Sequence, residues 1–341
     1  MPAQLNYPLR FEPIFQERIW GGRRLETMLG KKLPPDRLVG ESWEISDHGD
    51  HSSVLANGSH QSKRLRDLVR DFPESFGRRA ASAEEARAVP APGFALLVKW
   101  IDACKRLSVQ VHPPDGHPRL PPGERGKTEC WLVIDAQPDS EIYLGLRRGF
   151  DRASLVRELE RSTLERCLNV FPARPGDFYF IPAGMVHAIG DGVLVAEISQ
   201  SSDTTLRLFD WDRIDPATRQ SRPLQIEAAL DCIDCQSSPA ATVRIPSFAS
   251  SLNASQPSQM TLLGPDRCPH FAVAWRHVPC PTTLGEISRF HLVMCVGGVG
   301  EITGGGQTLS VCRGDSTMLP AAAQFTCRPQ PELQLLDVWV P

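Results

Sequence analysis

A chain of 341 residues with 37 Lys and Arg against 40 Asp and Glu has a formal charge of −3, which gives no reason to expect nucleic acid or an anionic membrane as partner. It is long enough for two or three domains with buried cores, and no apolar run approaches the roughly 18 residues that span a bilayer. The opening MPAQLNYPLRFEP lacks the continuous apolar segment of a secretory signal, so the expected location is the cytoplasm.

Thirty Pro and 26 Gly set between segments of Val, Ile and Phe predict many short strands and turns rather than long helices. In chain order, IWGGRRLE (19–26) and GESWEIS (40–46) read as strand and loop material on either side of KKLPPD. Residues 61–88 are charged with spaced Leu, Val and Phe, and predict helices broken at Pro73 and Gly77. FALLVKWIDA (94–103) reads as a buried strand and leads into LSVQVHP (107–113). There, strict alternation puts Ser108, Gln110 and His112 on one face and Leu107, Val109 and Val111 on the other.

After a Pro- and Gly-rich loop, KTECWLVIDA (127–136) is a further strand. Residues 151–171 read as helical, with Leu155, Leu159, Leu164 and Leu168 as an apolar stripe. Strand signals resume over 175–199. Residues 236–259, rich in Ser, Ala, Pro and Gln, read as a linker or surface excursion before a second β region from about 270. Ten Cys make neither a dense disulfide pattern nor a regular metal motif. The CxxC of Cys232 and Cys235 has no matching second pair, and reads as a chance spacing near a helix end in a reduced protein.

The residues with chemical content are Gln110, His112, Glu129 and His187, whose amide, imidazole and carboxylate groups all suit a first-row divalent metal. In GDFYFIPAGMVH, Gly176, Pro182 and Gly184 supply turn geometry before His187 enters a strand. This arrangement resembles the second motif of the cupins, small β-barrels that bind metal through His and Glu, and Gln110–His112 with Glu129 resemble the first. LVKWIDACKRLSVQVHPPD, GKTECWLVIDA, PAGMVHAIGDGVLVAEISQSSDTTLRLFDWDR, IWGGRRL and GESWEIS together closely resemble the type I mannose-6-phosphate isomerases, in particular their shorter bacterial form. The resemblance runs from about Phe11 to Arg213.

It implies a mainly β fold of two cupin (jelly-roll) β-barrel domains with a helical insertion. The catalytic domain would cover 1–235, with helical insertions around 61–90 and 150–171, and a degenerate cupin would cover 260–341. It also implies one Zn2+ per chain, held by Gln110, His112, Glu129 and His187, and a small sugar phosphate as partner. Arg207 and Glu197 match catalytic positions, and Ser108, Lys127 and Arg207 match substrate-binding ones. A hydroxyl and two cations suit phosphate recognition. The plainer alternative for Glu197 and Arg207 is a structural ion pair. Leu206 and Phe209 depart from the family pattern, which has Tyr there, and the expectation is a lost hydrogen bond in or behind the pocket. GDSTMLP (314–320) repeats half of the cupin motif without the following His, so the second barrel is expected to be structural.

The implied reaction is the interconversion of mannose 6-phosphate and fructose 6-phosphate through an enediol. Two other classes stay open at this point: a metal cupin of different activity, such as an oxygenase, and a sugar-sensing protein without chemistry. Oligomeric state is not encoded legibly.

Overall fold

The computed structural model describes residues 5–77, 93–215, 218–236, 242–245, 255–321 and 323–341. The expected mainly β fold is borne out: antiparallel strands make up three sheets and one small ribbon. The first sheet has seven strands in the order Ile14–Gly22, Val39–Ile45, Leu96–Ala103, Val193–Gln200, Glu129–Ala136, Asp177–Ile181 and Val243–Arg244. Packed against it is a five-stranded sheet in the order Leu206–Phe209, Val109–Val111, His187–Ile189, Glu141–Leu146 and Leu168–Pro172. The third sheet is built on two long strands, His291–Gly304 and Phe325–Trp339. The strand pairings run as open sheets; among the described residues no hydrogen-bonded ring closes.

Leu96–Ala103 is buried at every position because both its faces are covered. Leu96, Val98 and Trp100 point into a core shared with Phe271, Trp275, Leu292, Met294, Leu336 and Val338 of the C-terminal region. Ile101 and Ala103 point the other way, between the first and second sheets, where they meet Trp131, Val133, Leu144, Ile189 and Val195. The first sheet is therefore the middle layer, which explains why its strands read as continuous apolar runs instead of half-buried alternation. Leu9 ties the chain start to this arrangement by exchanging two backbone hydrogen bonds of 2.9 Å with Met318.

The helical expectations fare unevenly. Over 61–88 the chain forms a helix at Leu65–Asp71 and a 3-10 turn at Pro73–Phe76, closed by Gly77 in the left-handed region, and 78–88 lie outside the described residues. Over 151–171 the helix is Arg152–Glu160, begun by Asp151, whose carboxylate accepts the Ser154 N–H at 2.8 Å. A 3-10 turn follows at Leu164–Cys167, but Leu168–Pro172 is a strand. Leu168 does reach the core of that region; it does so as an edge-strand residue paired to Leu146. Most of 237–254 lies outside the described residues. No helix among the described residues is long and apolar enough to cross a membrane.

Candidate active site

The opening strand of the second sheet is shorter than the heptapeptide suggested. Only Val109–Val111 pair as strand, and Leu107, before it, turns inward to the core between the sheets. That corrects the expected face for Leu107. Val109 and Val111 do face outward, onto Leu155, Leu208 and Leu230, which leaves Gln110 facing inward. Gln110 is the cross-strand partner of His187 on one side and of Arg207 on the other. Cross-strand neighbours on one face lie about 5 Å apart, so register alone gathers amide, imidazole and guanidinium in one row.

Glu129 begins its strand on the facing sheet, opposite Ile181 and Ser199. His187 begins its own strand after a turn in which Gly184 has φ 87°. A side chain is disfavoured there, and a Cβ would also crowd the Cys232 carbonyl at 3.2 Å. The Gly184 N–H donates to the His112 carbonyl at 2.8 Å, so the turn that launches one histidine anchors the backbone of the other.

Ligating atoms of His112, Glu129 and His187 converge within 4.8 Å of one another, all three residues being buried. Each imidazole has its Nδ1 2.9 Å from a backbone carbonyl, Thr204 for His112 and Met185 for His187. A carbonyl only accepts, so both Nδ1 atoms carry a proton. Burial, opposed by Glu129, drives the His187 pKa down to about 3, so this ring is neutral and presents an Nε2 lone pair. Nε2 of His112 and of His187 lies 3.5 and 3.4 Å from a Glu129 oxygen, and neither makes a hydrogen bond. The His187 lone pair facing a carboxylate at that range is unsatisfied, and a divalent cation between them fits it, with His112 Nε2 placed to share the ion. The three residues thus suit a metal by donor chemistry, by tautomer and by their missing partners. Gln110 sits beside His187 on the same face, with no hydrogen bond from its amide among the described residues.

From Glu129 a chain of alternating charge runs along the inner face. Lys127 Nζ lies 2.8 Å from Glu129 and 3.2 Å from Glu197; Lys99 Nζ lies 3.5 Å from Glu197 and 3.3 Å from Glu41; Arg18 closes on Glu41 at 2.9 Å. Burial works against the charges of Glu129, Lys127, Lys99 and Glu41, yet Lys127 holds Glu129 well below the usual carboxylate range. Burial likewise opposes the Glu41 charge, and Lys99 and Arg18 override it, bringing its pKa to about 2. The Lys127 ammonium is disfavoured by burial and held upward by Glu129 and Glu197. Glu197 also accepts the Trp131 indole N–H at 3.3 Å.

These groups open onto a cleft of about 380 Å3, within the range that takes a small molecule. Ser108, Gln110, Lys127, Glu197 and Arg207 all line it, as expected. Glu197 and Arg207 do not form the ion pair that was their plainer alternative: Glu197 pairs with lysines, and Arg207 has no carboxylate within ion-pair distance among the described residues. Arg207 Nε instead donates to the Ser108 hydroxyl at 3.3 Å and Nη1 to the Pro223 carbonyl at 2.8 Å. Leu206 and Phe209 lie in the outward-facing core, away from the cleft, so the missing Tyr hydroxyls are not absent from the pocket lining. Sequence reasoning passed over Arg18, Trp20, Glu41, Lys99, Asp203 and Arg222, which also line the cleft. For Lys99 and Glu41 a signal existed, a charge inside an apolar strand pattern. The CxxC gains a neighbour that spacing did not disclose, His117, whose Nδ1 is 3.5 Å from Cys232 Sγ.

Residues 9–143 match the model of the phosphomannose isomerase type I catalytic domain. The mannose-6-phosphate isomerase ManA of Bacillus subtilis is 35% identical over 315 residues, covering 92% of this chain and 93% of that protein. The chain belongs to the type I mannose-6-phosphate isomerases. The Streptococcus mutans member is 34% identical over 92% of each chain. In three dimensions, the crystal structure of the mannose 6-phosphate isomerase from Bacillus subtilis superposes with a TM-score of 0.81 at 29% identity, over 97% of this chain and 99% of that one.

Proposed function

We propose that this protein interconverts mannose 6-phosphate and fructose 6-phosphate through an enediol, using one Zn2+ held by Gln110, His112, Glu129 and His187. The observation that carries this reading is the pair of buried imidazole Nε2 atoms, neither hydrogen-bonded, converging with Glu129 beside a cleft rich in cations. When bound, the ion supplies positive charge that steadies oxygen charge developing on the sugar. Everything else is done by side chains.

A proton leaves C2 of the open-chain aldose and one arrives at C1, while the carbonyl moves from C1 to C2. Glu197 is the group for that transfer: Lys127 and Lys99 pair with its buried carboxylate and fix it at the cleft wall. Lys127 serves as a permanent cation, since its carboxylate partners hold its proton firmly. Arg207 uses Nε and Nη1 on the protein, which leaves Nη2 for anionic oxygen of the substrate. Ser108 orients that guanidinium and adds a hydroxyl to the lining. Residues 1–235 form the catalytic unit in this reading and 260–341 a cupin-like unit without metal. All ten cysteines are free, which suits the reducing cytoplasm.

The test is a coupled assay of purified, metal-quantified protein with mannose 6-phosphate, before and after chelation and zinc restoration. Turnover that vanishes and returns with zinc is expected. Binding of the sugar phosphate without turnover in fully metallated protein would instead assign a sensing role.

A further inference from the structure

The carboxylates lining the cleft are unevenly spread. Glu197, Glu41 and Asp203 lie among Lys127, Lys99 and Arg18 at the end next to Glu129, where charges nearly cancel. At the other end, Arg207 and Arg222 line the cleft, and Arg222 pairs with Asp210 behind it. Asp210 is buried and shared: its Oδ1 and Oδ2 receive a two-pronged contact from Arg222 at 2.6 and 2.8 Å, and Oδ1 also receives Arg213 at 2.7 Å. Three guanidinium groups therefore face one carboxylate, leaving two positive charges. Burial and then the neighbouring Arg222 push the Arg207 pKa below its ordinary value, as an excess of cations should.

The same segment is sewn to the strand that carries Arg207. The Gln225 N–H donates to the Arg207 carbonyl at 2.8 Å, and the Gln225 side chain accepts the Arg207 N–H at 3.0 Å. With Arg207 Nη1 on the Pro223 carbonyl, Arg222 is held beside Arg207 by its own chain neighbours. Arg222 spends Nε and Nη2 on Asp210, and its Nη1 has no partner among the described residues. Arg207 Nη2 is free in the same sense. Two fixed N–H edges with two unbalanced charges match a dianionic phosphate monoester in both valence and geometry.

We infer that Arg222, locked in place by Asp210, is the specificity-determining residue that receives the phosphate group of the sugar, with Arg207 between it and the metal end. Cross-strand register supports the length: Arg207 is two strands from His187, roughly 10 Å, so a molecule can reach both. Asp210 acts through Arg222 and is a positioning residue. Lys127, committed to two carboxylates, is not the phosphate's cation.

The inference rests on the isomerase reading, and its test separates the two. Wild-type protein that fails to turn over mannose 6-phosphate overturns the reading itself. Where wild-type protein is active, Arg222→Gln is compared in KM for mannose 6-phosphate and in the inhibition constant of inorganic phosphate. Loss of one charge-assisted bond to phosphate should raise both roughly 10- to 100-fold, with the larger effect on KM than on kcat. Arg222→Lys keeps the charge without the fork and should fall between. Asp210→Asn leaves Arg222 present but unclamped and should raise KM in the same direction, with zinc content retained. Direct titration of inorganic phosphate into zinc-loaded Arg222→Gln gives a readout independent of turnover. If the variants stay folded and phosphate binds as in wild type, Arg222 is a structural partner of Asp210 and the inference is overturned.

Discussion

The N-terminal sheets and the C-terminal sheet both bury histidine beside carboxylate, and they differ in where the imidazole proton goes. His112 and His187 give Nδ1–H to backbone carbonyls and turn Nε2 toward Glu129 at 3.4 to 3.5 Å. In the C-terminal sheet His291 Nδ1 is 2.7 Å from Asp337, and His277 Nε2 is 2.8 Å from Glu332, so a carboxylate takes the hydrogen bond directly. Asp337 is further occupied by Arg276 at 2.6 Å. The first arrangement brings two imidazole Nε2 atoms to one carboxylate; in the second each histidine spends one nitrogen on its own carboxylate, and its other nitrogen, buried and without a hydrogen bond, meets no second histidine among the described residues. Among the described residues His112, Glu129 and His187 alone form a group of three that could hold a metal ion. A shared β scaffold therefore does not make a metal site. Two histidines and a carboxylate converging on one point are what could hold an ion.

The sharpest way to break this contrast is Glu129→Gln. It keeps shape while removing the carboxylate charge between the two imidazoles, and it leaves the buried Lys127 ammonium with Glu197 as its remaining carboxylate. Zinc content should collapse and turnover should fall by roughly 10³-fold or more, measured by elemental analysis and coupled assay on the same preparation. Full zinc occupancy in this variant would end the assignment of Glu129 as a ligand.

Next in size is Lys99→Met. Glu41 and Glu197 would each keep a buried charge and lose a cation, so unfolding free energy should drop by about 3–5 kcal/mol, the cost of breaking a buried pair from one side. Urea titration reads it. On the C-terminal side, His291→Leu removes one hydrogen-bond partner from Asp337, which retains Arg276. A loss of about 1–3 kcal/mol is expected, with zinc content and KM at wild-type values. A zinc deficit in that variant would mean that the two regions are not independent in metal binding.

Much of this contrast was legible in the residues themselves. Val109 and Val111 against Gln110 gave the inward face by simple alternation, and the glycine turn before His187 announced a strand start. Leu107 misled because it lies before the strand begins, where period two no longer holds. Residues 168–171 misled because a Leu every four or five positions is compatible with a helix, while pairing to Glu141–Leu146 is a long-range event that no window contains. Lys99 carried a readable signal, a lone charge in an apolar strand, whereas Arg222 carried none: its place follows from the pairing of 223–225 with Arg207.

The acid limb of stability should bear the mark of the charge chain. Glu41 has its pKa lowered from 4.5 to about 2, so between those values the unfolded chain binds a proton there that the folded chain refuses. Its contribution is complete above about pH 4.5 and is lost as pH falls toward 2, at no more than about 1.4 kcal/mol per pH unit. Glu41→Gln should flatten that part of the curve in denaturant titrations at stepped pH. An unchanged slope would show that Lys99 and Arg18 do not hold Glu41 ionised.

The smallest effect belongs to Phe209→Tyr, which restores the hydroxyl that the family pattern led one to miss. Phe209 is buried on the outward side of its strand, its ring 5.3 Å from that of Trp211, while Arg207 on the same strand lines the cleft. A register irregularity between Arg207 and Phe209 accounts for two residues of the same parity not sharing a face. A hydroxyl added at Phe209 enters apolar packing and touches neither the ligand group nor the substrate. kcat/KM should stay within about twofold of wild type, some 0.4 kcal/mol, with any cost appearing as lowered stability. A tenfold gain in activity would mean that this strand presents its other face to the cleft during turnover, and that the separation of catalytic row from packing row drawn from the register is wrong.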